Sequence, residues 1–212
     1  MSLRMRSVYL LALVMTASIT TVPAKAAGDP HRGKQLAYTC LGCHGIDTYK
    51  NVYPTYSVPK LRGQHPDYIV SALQEYAKGE RSHATMHAQA SSLSDQDMQD
   101  IAAYFSGEQV KSSGKEAVGE PPAVIQTLCK SCHGMDGVGI ADIYPTLSGQ
   151  HADYIEQALQ SYRSGSRKSA LMQQPAQQLK PEEIKEIAEY FSKQQPALKT
   201  VPRIENLSAA AK

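Results

Sequence analysis

Two of the three large aromatic residue types are scarce in this sequence, which has no tryptophan and only two phenylalanines among its 212 residues. Alternating runs of β-branched residues, which are typical of strands, are also missing. A chain with so few large apolar side chains buries little surface of its own, and small domains are marginally stable for that reason. The sequence therefore predicts an all-α protein whose interior is completed by a bound group.

An excess of charge of one sign is absent too. The chain has 22 basic and 20 acidic residues, and it shows no concentrated basic face of the kind that binds nucleic acids. We therefore expect no nucleic-acid partner. Removal of residues 1–26 would take away three basic residues and change the net charge from +2 to −1, so charge by itself does not predict a partner.

Long apolar runs are confined to the N-terminus. Arg4 and Arg6 precede the apolar stretch 8–15, and Ala24-Lys25-Ala26 has the small-x-small pattern of a cleavage site. The stretch is shorter than the about 20 residues that span a bilayer. Residues 1–26 are therefore predicted to be a signal peptide that exports the chain, with an uncleaved N-terminal anchor as the alternative.

The rest of the chain is internally duplicated. GQHPDYIVSALQEYAKGERS at 63–82 returns as GQHADYIEQALQSYRSGSRK at 149–168, an offset of 86 residues. Such self-similarity predicts two copies of one folding unit. The predicted order is domain 1 at 27–107, a linker at 108–122, domain 2 at 123–195 and a C-terminal tail at 196–212. The tail has no partner in the repeat and is expected to be loosely attached.

Each unit is predicted to be helical. Apolar residues recur at helical spacing over 68–77 and again over 154–162. A later helix is expected to start near Ser94 in the first unit and at Pro181 in the second. Both positions are followed by acidic residues, which suit the positive end of a helix. A third helix is expected before each pair of cysteines.

The four cysteines of the chain form two identical motifs, CLGCH at 40–44 and CKSCH at 129–133. Residues i, i+3 and i+4 of a helix share one face, so both thiols and the imidazole of each motif point the same way. The thiols can add to the two vinyl groups of a porphyrin while the imidazole reaches the iron. Cys-x-x-Cys-His is the signature of c-type haem attachment. We therefore predict two covalent haem c groups, attached at Cys40, Cys43, Cys129 and Cys132.

Other interpretations of these motifs are less consistent with the sequence. A thioredoxin-like redox pair belongs near a βαβ pattern, which this chain lacks. A structural zinc site gathers four ligands around one metal, whereas here each ligand set sits in its own repeat. Disulfides are compatible with export but do not require a histidine after each pair.

The motif histidines, His44 and His133, are predicted to be one axial ligand of each iron. For the second ligand the repeat favours Met86 and Met172, which correspond at the offset of 86. Met98 corresponds to Ile184 on an apolar helical face, so it is expected in the core. His65 and His151 also correspond across the repeat, and ligation by two histidines therefore stays open. Methionine–histidine ligation gives the higher potential of the two arrangements.

Two further features are expected to shape these sites. Pro59 and Pro145 correspond across the repeat, and a backbone carbonyl at this position could accept a hydrogen bond from the ligating imidazole; the alternative is that these prolines only shape a turn. The loop at 46–58 is longer than its counterpart, which is expected to alter haem exposure or partner docking in the first domain.

Taken together, the motifs resemble the cytochrome c4 family. The resemblance covers nearly the whole mature chain and rests on the paired C-x-x-C-H, the paired P-x-L-x-G-Q at 59–64 and 145–150, and the paired IA-x-YF at 101–105 and 187–191. It implies two tandem class I cytochrome c domains, each a small helical bundle around one haem. It also implies a periplasmic location.

The function that the resemblance implies is one-electron transport in a respiratory chain. Electrons would pass from a quinol-oxidising complex, a quinol:cytochrome c reductase, toward a terminal oxidase, with or without peripheral association with the membrane. The alternative is a dihaem relay subunit of an oxidoreductase, such as a flavin-dependent sulfide dehydrogenase. An enzyme such as a dihaem peroxidase is disfavoured, because two axial ligands from the protein leave no vacant site on the iron.

Overall fold

The computed structural model describes residues 28–202, so the predicted signal peptide lies outside the described residues. Over this range the chain forms helices joined by loops, with three isolated bridges and no extended strand. The helices are α1 (Pro30–Leu36), α2 (Leu41–His44), α3 (Pro66–Ala77), α4 (Ala84–Ala90), α5 (Asp95–Ser106), the π-helical turn π1 (Ile125–Cys129), α6 (Lys130–His133), α7 (Ala152–Ser164), α8 (Gln173–Gln178) and α9 (Pro181–Ser192). The predicted all-α class is confirmed.

Domain 1 is assembled around α5. Helix α1 crosses α5 at Gly33, where a Cβ atom would overlap the carbonyl oxygen of Asp100, and α3 packs along another side of α5. Helix α5 starts where the sequence predicts, because Ser94 and Asp97 form a reciprocal capping box. The buried face of α5 includes Phe105, and the core also holds Met98, as predicted.

Domain 2 repeats this plan with a different first helix. Helix α7 packs on α9, and α9 starts at Pro181 with the Lys180 amide donating to the Glu183 carboxylate at 2.7 Å. The expected helix before the second cysteine pair is present as the short turn π1. It follows Pro121-Pro122, a sequence that cannot extend a helix backwards by more than its first turn.

The two domains contact one another through equivalent residues. In domain 1, Gln64 Nε2 donates to the Thr146 carbonyl at 2.9 Å and Gln64 Oε1 accepts from the Thr146 amide at 2.8 Å. In domain 2, Gln150 makes the same pair of bonds to the backbone of Lys60, at 3.0 and 2.9 Å. Because each bond returns at the offset of 86, the domains are related by an approximate two-fold axis.

Two segments outside the repeat also join the domains. In the long loop 46–58, Ser57 donates to the Asp153 carboxylate of domain 2 through its amide and its hydroxyl, at 3.0 and 2.9 Å. The expectation of a loosely attached tail is wrong for residues 196–202. Leu198 is buried and its amide donates to Ser148 of domain 2, while Lys199 pairs with Arg62 of domain 1.

Candidate cofactor sites

The cysteine–histidine motifs adopt the helical geometry that the sequence predicts. Cys43 and His44 lie on α2 with Cys40 at its N-cap, and Cys132 and His133 lie on α6 with Cys129 at its N-cap. All four thiols are unpaired and partly buried, so the disulfide alternative is absent from the structure. Burial raises the pKa of Cys129 to about 11, which keeps this thiol protonated.

Both motif histidines are oriented by a backbone carbonyl. His44 Nδ1 lies 2.9 Å from the Pro59 oxygen and His133 Nδ1 lies 3.0 Å from the Pro145 oxygen, which confirms the predicted contacts. Burial lowers the pKa of His44 and of His133 below the ordinary value of 6.5, although these hydrogen bonds act in the opposite direction. Each ring is therefore neutral with its proton on Nδ1, and the lone pair of Nε2 is free to bind a metal.

Each motif lies at a cavity that also contains one of the predicted methionines. Cavity 1 is lined by Cys43, His44 and Met86 among others. Cavity 2 is lined by the corresponding residues Cys132, His133 and Met172, and also by Cys129. The donor set in each cavity is thus a neutral imidazole, a thioether and neighbouring thiols, which suits the iron and the vinyl groups of a haem.

His65 and His151 occupy different positions. Neither lines either cavity. His65 is buried between the domains, with its Nδ1 atom 3.3 Å from Asp142 of domain 2. Over residues 28–202, no three His, Cys, Asp or Glu side chains converge as a zinc site would require.

Side chains from both domains form a wall shared by the two cavities. Tyr68, Tyr154 and Arg167 line both cavities, and Arg81 lines cavity 1. Arg81 Nη2 donates to the Tyr154 hydroxyl at 2.6 Å, and Arg167 Nη2 donates to the Tyr68 hydroxyl at 3.2 Å. Arg81 and Arg167 correspond at the offset of 86, but no local pattern in the sequence marks them as residues of the site.

Each arginine also stacks on an aromatic ring of its own domain. The guanidinium of Arg81 lies 4.5 Å from the ring centroid of Tyr76, and that of Arg167 lies 4.4 Å from that of Tyr162. Burial opposes the charge of Arg81, yet the facing tyrosines hold its pKa well above the ordinary value. The wall between the cavities therefore carries two buried positive charges.

Comparison with known proteins agrees with this geometry. The cytochrome c family model matches residues 30–107 and 122–195. Cytochrome c4 of Pseudomonas aeruginosa is 35% identical over 203 residues, covering 86% of this chain and 96% of that protein. The crystal structure of reduced recombinant cytochrome c4 from Pseudomonas stutzeri superimposes with a TM-score of 0.61 at 30% identity, covering 80% of this chain and all of that one.

A third relative is named for the enzyme from which it accepts electrons. The thiosulfate dehydrogenase electron acceptor of Stutzerimonas stutzeri is 30% identical over 172 residues, covering 74% of this chain and 79% of that protein.

Two cytochrome c domains, each with its own Cys-x-x-Cys-His site, define a dihaem c-type cytochrome with two covalently bound haem c groups. Within that class, the chain belongs to the cytochrome c4 family. It is an electron-transfer protein rather than an enzyme. Between residues 28 and 202, none of the helices has the length and hydrophobicity of a membrane span.

Proposed function

We propose that the protein is a periplasmic carrier that takes electrons from a quinol-oxidising complex and delivers them toward a terminal oxidase. His44 with Met86 in domain 1, and His133 with Met172 in domain 2, would hold the two irons as axial ligands. The observation that supports this proposal is the pairing of one neutral imidazole and one thioether at each cavity.

The haem iron, when bound, supplies reversible one-electron oxidation and reduction. The chain contributes the rest. The carbonyls of Pro59 and Pro145 hold the imidazoles in the correct tautomer, and the thioether sulfur favours the ferrous state. With an imidazole and a thioether available to hold each iron, the protein would be suited to transport electrons without binding a substrate.

A second candidate function is electron acceptance from a dehydrogenase of a reduced sulfur compound. The relative named as an electron acceptor of thiosulfate dehydrogenase favours it. A flavin-dependent sulfide dehydrogenase is a further example of such an electron donor. Purification from the periplasm discriminates between the two functions. A carrier is isolated alone and is reduced by quinol:cytochrome c reductase, whereas a relay subunit is isolated with its dehydrogenase in fixed stoichiometry.

The ligand assignment is tested by Met86→Ala. We expect the loss of the Fe–S absorption of one haem and a lower potential for that haem, within the range of about 0.8 V over which axial ligands set potentials. Covalent attachment should persist, because Cys40 and Cys43 are unchanged. Redox titration with optical and spin-resonance spectra measures all three properties.

Met98→Leu is the matched control, since Met98 is buried in the domain 1 core and does not line cavity 1. Its spectrum should equal that of the parent protein. An Fe–S band of undiminished intensity in Met86→Ala would exclude Met86 as the ligand and return His65 to consideration.

A further inference from the structure

Each cavity is closed on one side by a helix of the other domain. Four residues of α7 line cavity 1, and the α3 equivalents of three of them line cavity 2. The α7 residues are Tyr154, Gln157, Ser161 and Ala158; the α3 residues Tyr68, Ser71 and Glu75 are equivalent to the first three. The environment of each haem is therefore set in part by a helix of the other domain.

One of these three pairs differs in charge. Glu75 faces cavity 2, whereas its counterpart Ser161 faces cavity 1. Arg81 and Arg167 line cavity 1, which has no carboxylate among its lining residues. Cavity 2 is lined by Arg167 and by Glu75. The two cavities thus present different net charges to otherwise matching ligand sets.

Glu75 is held where its charge acts on cavity 2. Its Oε2 atom is buried without a hydrogen-bond partner and lies 3.6 Å from Arg167 Nη2, while Ser71 donates to Oε1 at 3.4 Å. The side chain is 24% exposed, so water screens it only in part. Charges in such an environment interact more strongly than they do in bulk water.

We propose that Glu75 sets the order of the two haem potentials. A carboxylate beside an iron stabilises the ferric state, which has one more positive charge than the ferrous state, and therefore lowers the potential. Two guanidiniums have the opposite effect. The haem of domain 2 is thus the low-potential centre and that of domain 1 the high-potential centre.

The internal step follows from this order and rests on the proposed carrier function. One electron leaves the ferrous haem of domain 2, which becomes ferric, and reduces the ferric haem of domain 1. No bond to the polypeptide forms or breaks. In the half-reduced protein the electron resides mainly in domain 1, which makes domain 1 the donor to the next partner.

The repeat itself supplies the variants that test this inference. Glu75→Ser places the domain 2 residue in domain 1, and Ser161→Glu does the reverse. In redox titrations of the full dihaem protein, Glu75→Ser should raise the potential of the domain 2 haem more than that of the domain 1 haem. The gap between the two potentials then narrows, and the electron distribution between the haems shifts several-fold toward domain 2. Ser161→Glu should lower the domain 1 potential and also narrow the gap.

Two additional variants make the outcomes decisive. Met172→His identifies the domain 2 wave, because it alters the spectrum of that haem. Glu75→Gln keeps the size of the side chain and removes its charge, so it should reproduce the shift seen in Glu75→Ser. A shift in Glu75→Ser without one in Glu75→Gln would indicate altered packing and overturn the proposal.

Other results overturn it as well. One is an unchanged difference between the two haem potentials in both Glu75 variants at full haem content. The other is a parent protein in which the domain 2 haem has the higher potential. Each of these outcomes leaves two reversible one-electron waves and hence the carrier function intact. Absence of reversible waves in the parent protein would instead contradict the proposed function.

Discussion

The two domains build the same site on different supports. The imidazole-to-carbonyl distances are 2.9 Å in domain 1 and 3.0 Å in domain 2. In domain 1, the helix before the motif crosses α5 at Gly33, and Arg32 forms ion pairs with Asp97 and Asp100. In domain 2 the equivalent positions of Arg32 and Gly33, counted from the cysteines, are Pro121 and Pro122. The ligand geometry therefore does not depend on the details of the first helix.

The two domains also differ in the loop between the motif histidine and the proline whose carbonyl contacts it. In domain 1 it extends over 46–58 and reaches Asp153 of the other domain. In domain 2 the corresponding loop is three residues shorter. Duplication has thus kept the residues that hold the cofactor, and the differences lie in segments that support a domain or join it to its neighbour.

The largest effect is expected from filling the crossing of α1 and α5 at Gly33, whose equivalent in domain 2 is Pro122. Gly33→Ala places a Cβ atom against the Asp100 carbonyl and the Tyr104 side chain. Overpacking of this kind should lower the free energy of unfolding of domain 1 by roughly 3 kcal/mol. Denaturant unfolding of the haem-loaded protein, followed by the haem bands, measures it.

Gly42→Ala is the control for that change, because a Cβ at Gly42 meets no atom within 4 Å. It should leave the unfolding midpoint of domain 1 close to that of the parent protein. Equal stability of the Gly33 and Gly42 variants would contradict the close crossing.

A smaller and equal effect is expected on the two sides of the domain interface. Gln64→Ala leaves the backbone amide and carbonyl of Thr146 without partners, and Gln150→Ala does the same to Lys60. Each should weaken the association of the domains by roughly 2 kcal/mol. Hydrogen exchange of the Thr146 and Lys60 amides measures the loss, and the approximate two-fold symmetry predicts similar values. A loss confined to one glutamine would show that the interface is asymmetric.

The smallest effect is expected from acid titration of Asp97 on α5, which pairs with Arg32 of α1. Hydrogen bonds from the Ser94 side chain and backbone, with a further contribution from Arg32, lower the pKa of Asp97 from 3.8 to about 2. A depressed carboxyl pKa contributes stability that is fully present above the ordinary value and is lost as the pH falls through the folded-state value. Stability of domain 1 should therefore decline between pH 3.8 and about 2.

The variant Asp97→Asn cannot ionise at this position and should lack that part of the decline. Thermal unfolding of both proteins across the acidic range provides the comparison. If the two proteins lose stability in parallel below pH 3.8, Asp97 does not contribute the predicted ionisation.

Local sequence patterns were sufficient to predict the haem attachment motifs and most of the helices. The Cys-x-x-Cys-His spacing places three side chains on one turn of helix, so Cys40, Cys43 and His44 are oriented by their own segment. The helix start at Ser94 depends on residues within one turn of it. The repeat then extended each conclusion from one domain to the other, including the carbonyls of Pro59 and Pro145.

The contacts between the domains could not be predicted in this way. Gln64 and Thr146 are 82 residues apart, and Lys60 and Gln150 are 90 apart; no local periodicity links such positions. The tail shows the same limit. Leu198 has no partner in the repeat, and the bonds that hold it and Lys199 go to Ser148 of domain 2 and Arg62 of domain 1, which lie far from the tail in the sequence.

By itself the sequence determined the duplication, the helical class, the two haem c attachment motifs and the family, because each is encoded by residues close in the chain or at one constant offset. Only the tertiary structure decided that His65 lies between the domains rather than at a cavity. It also decided that Arg81 and Arg167 form a shared wall, and that Glu75 of domain 1 faces the cavity of domain 2. These placements depend on how the surfaces of the two folded domains fit together in shape and charge. The residues that meet there are far apart in the sequence, so no local pattern encodes their contact.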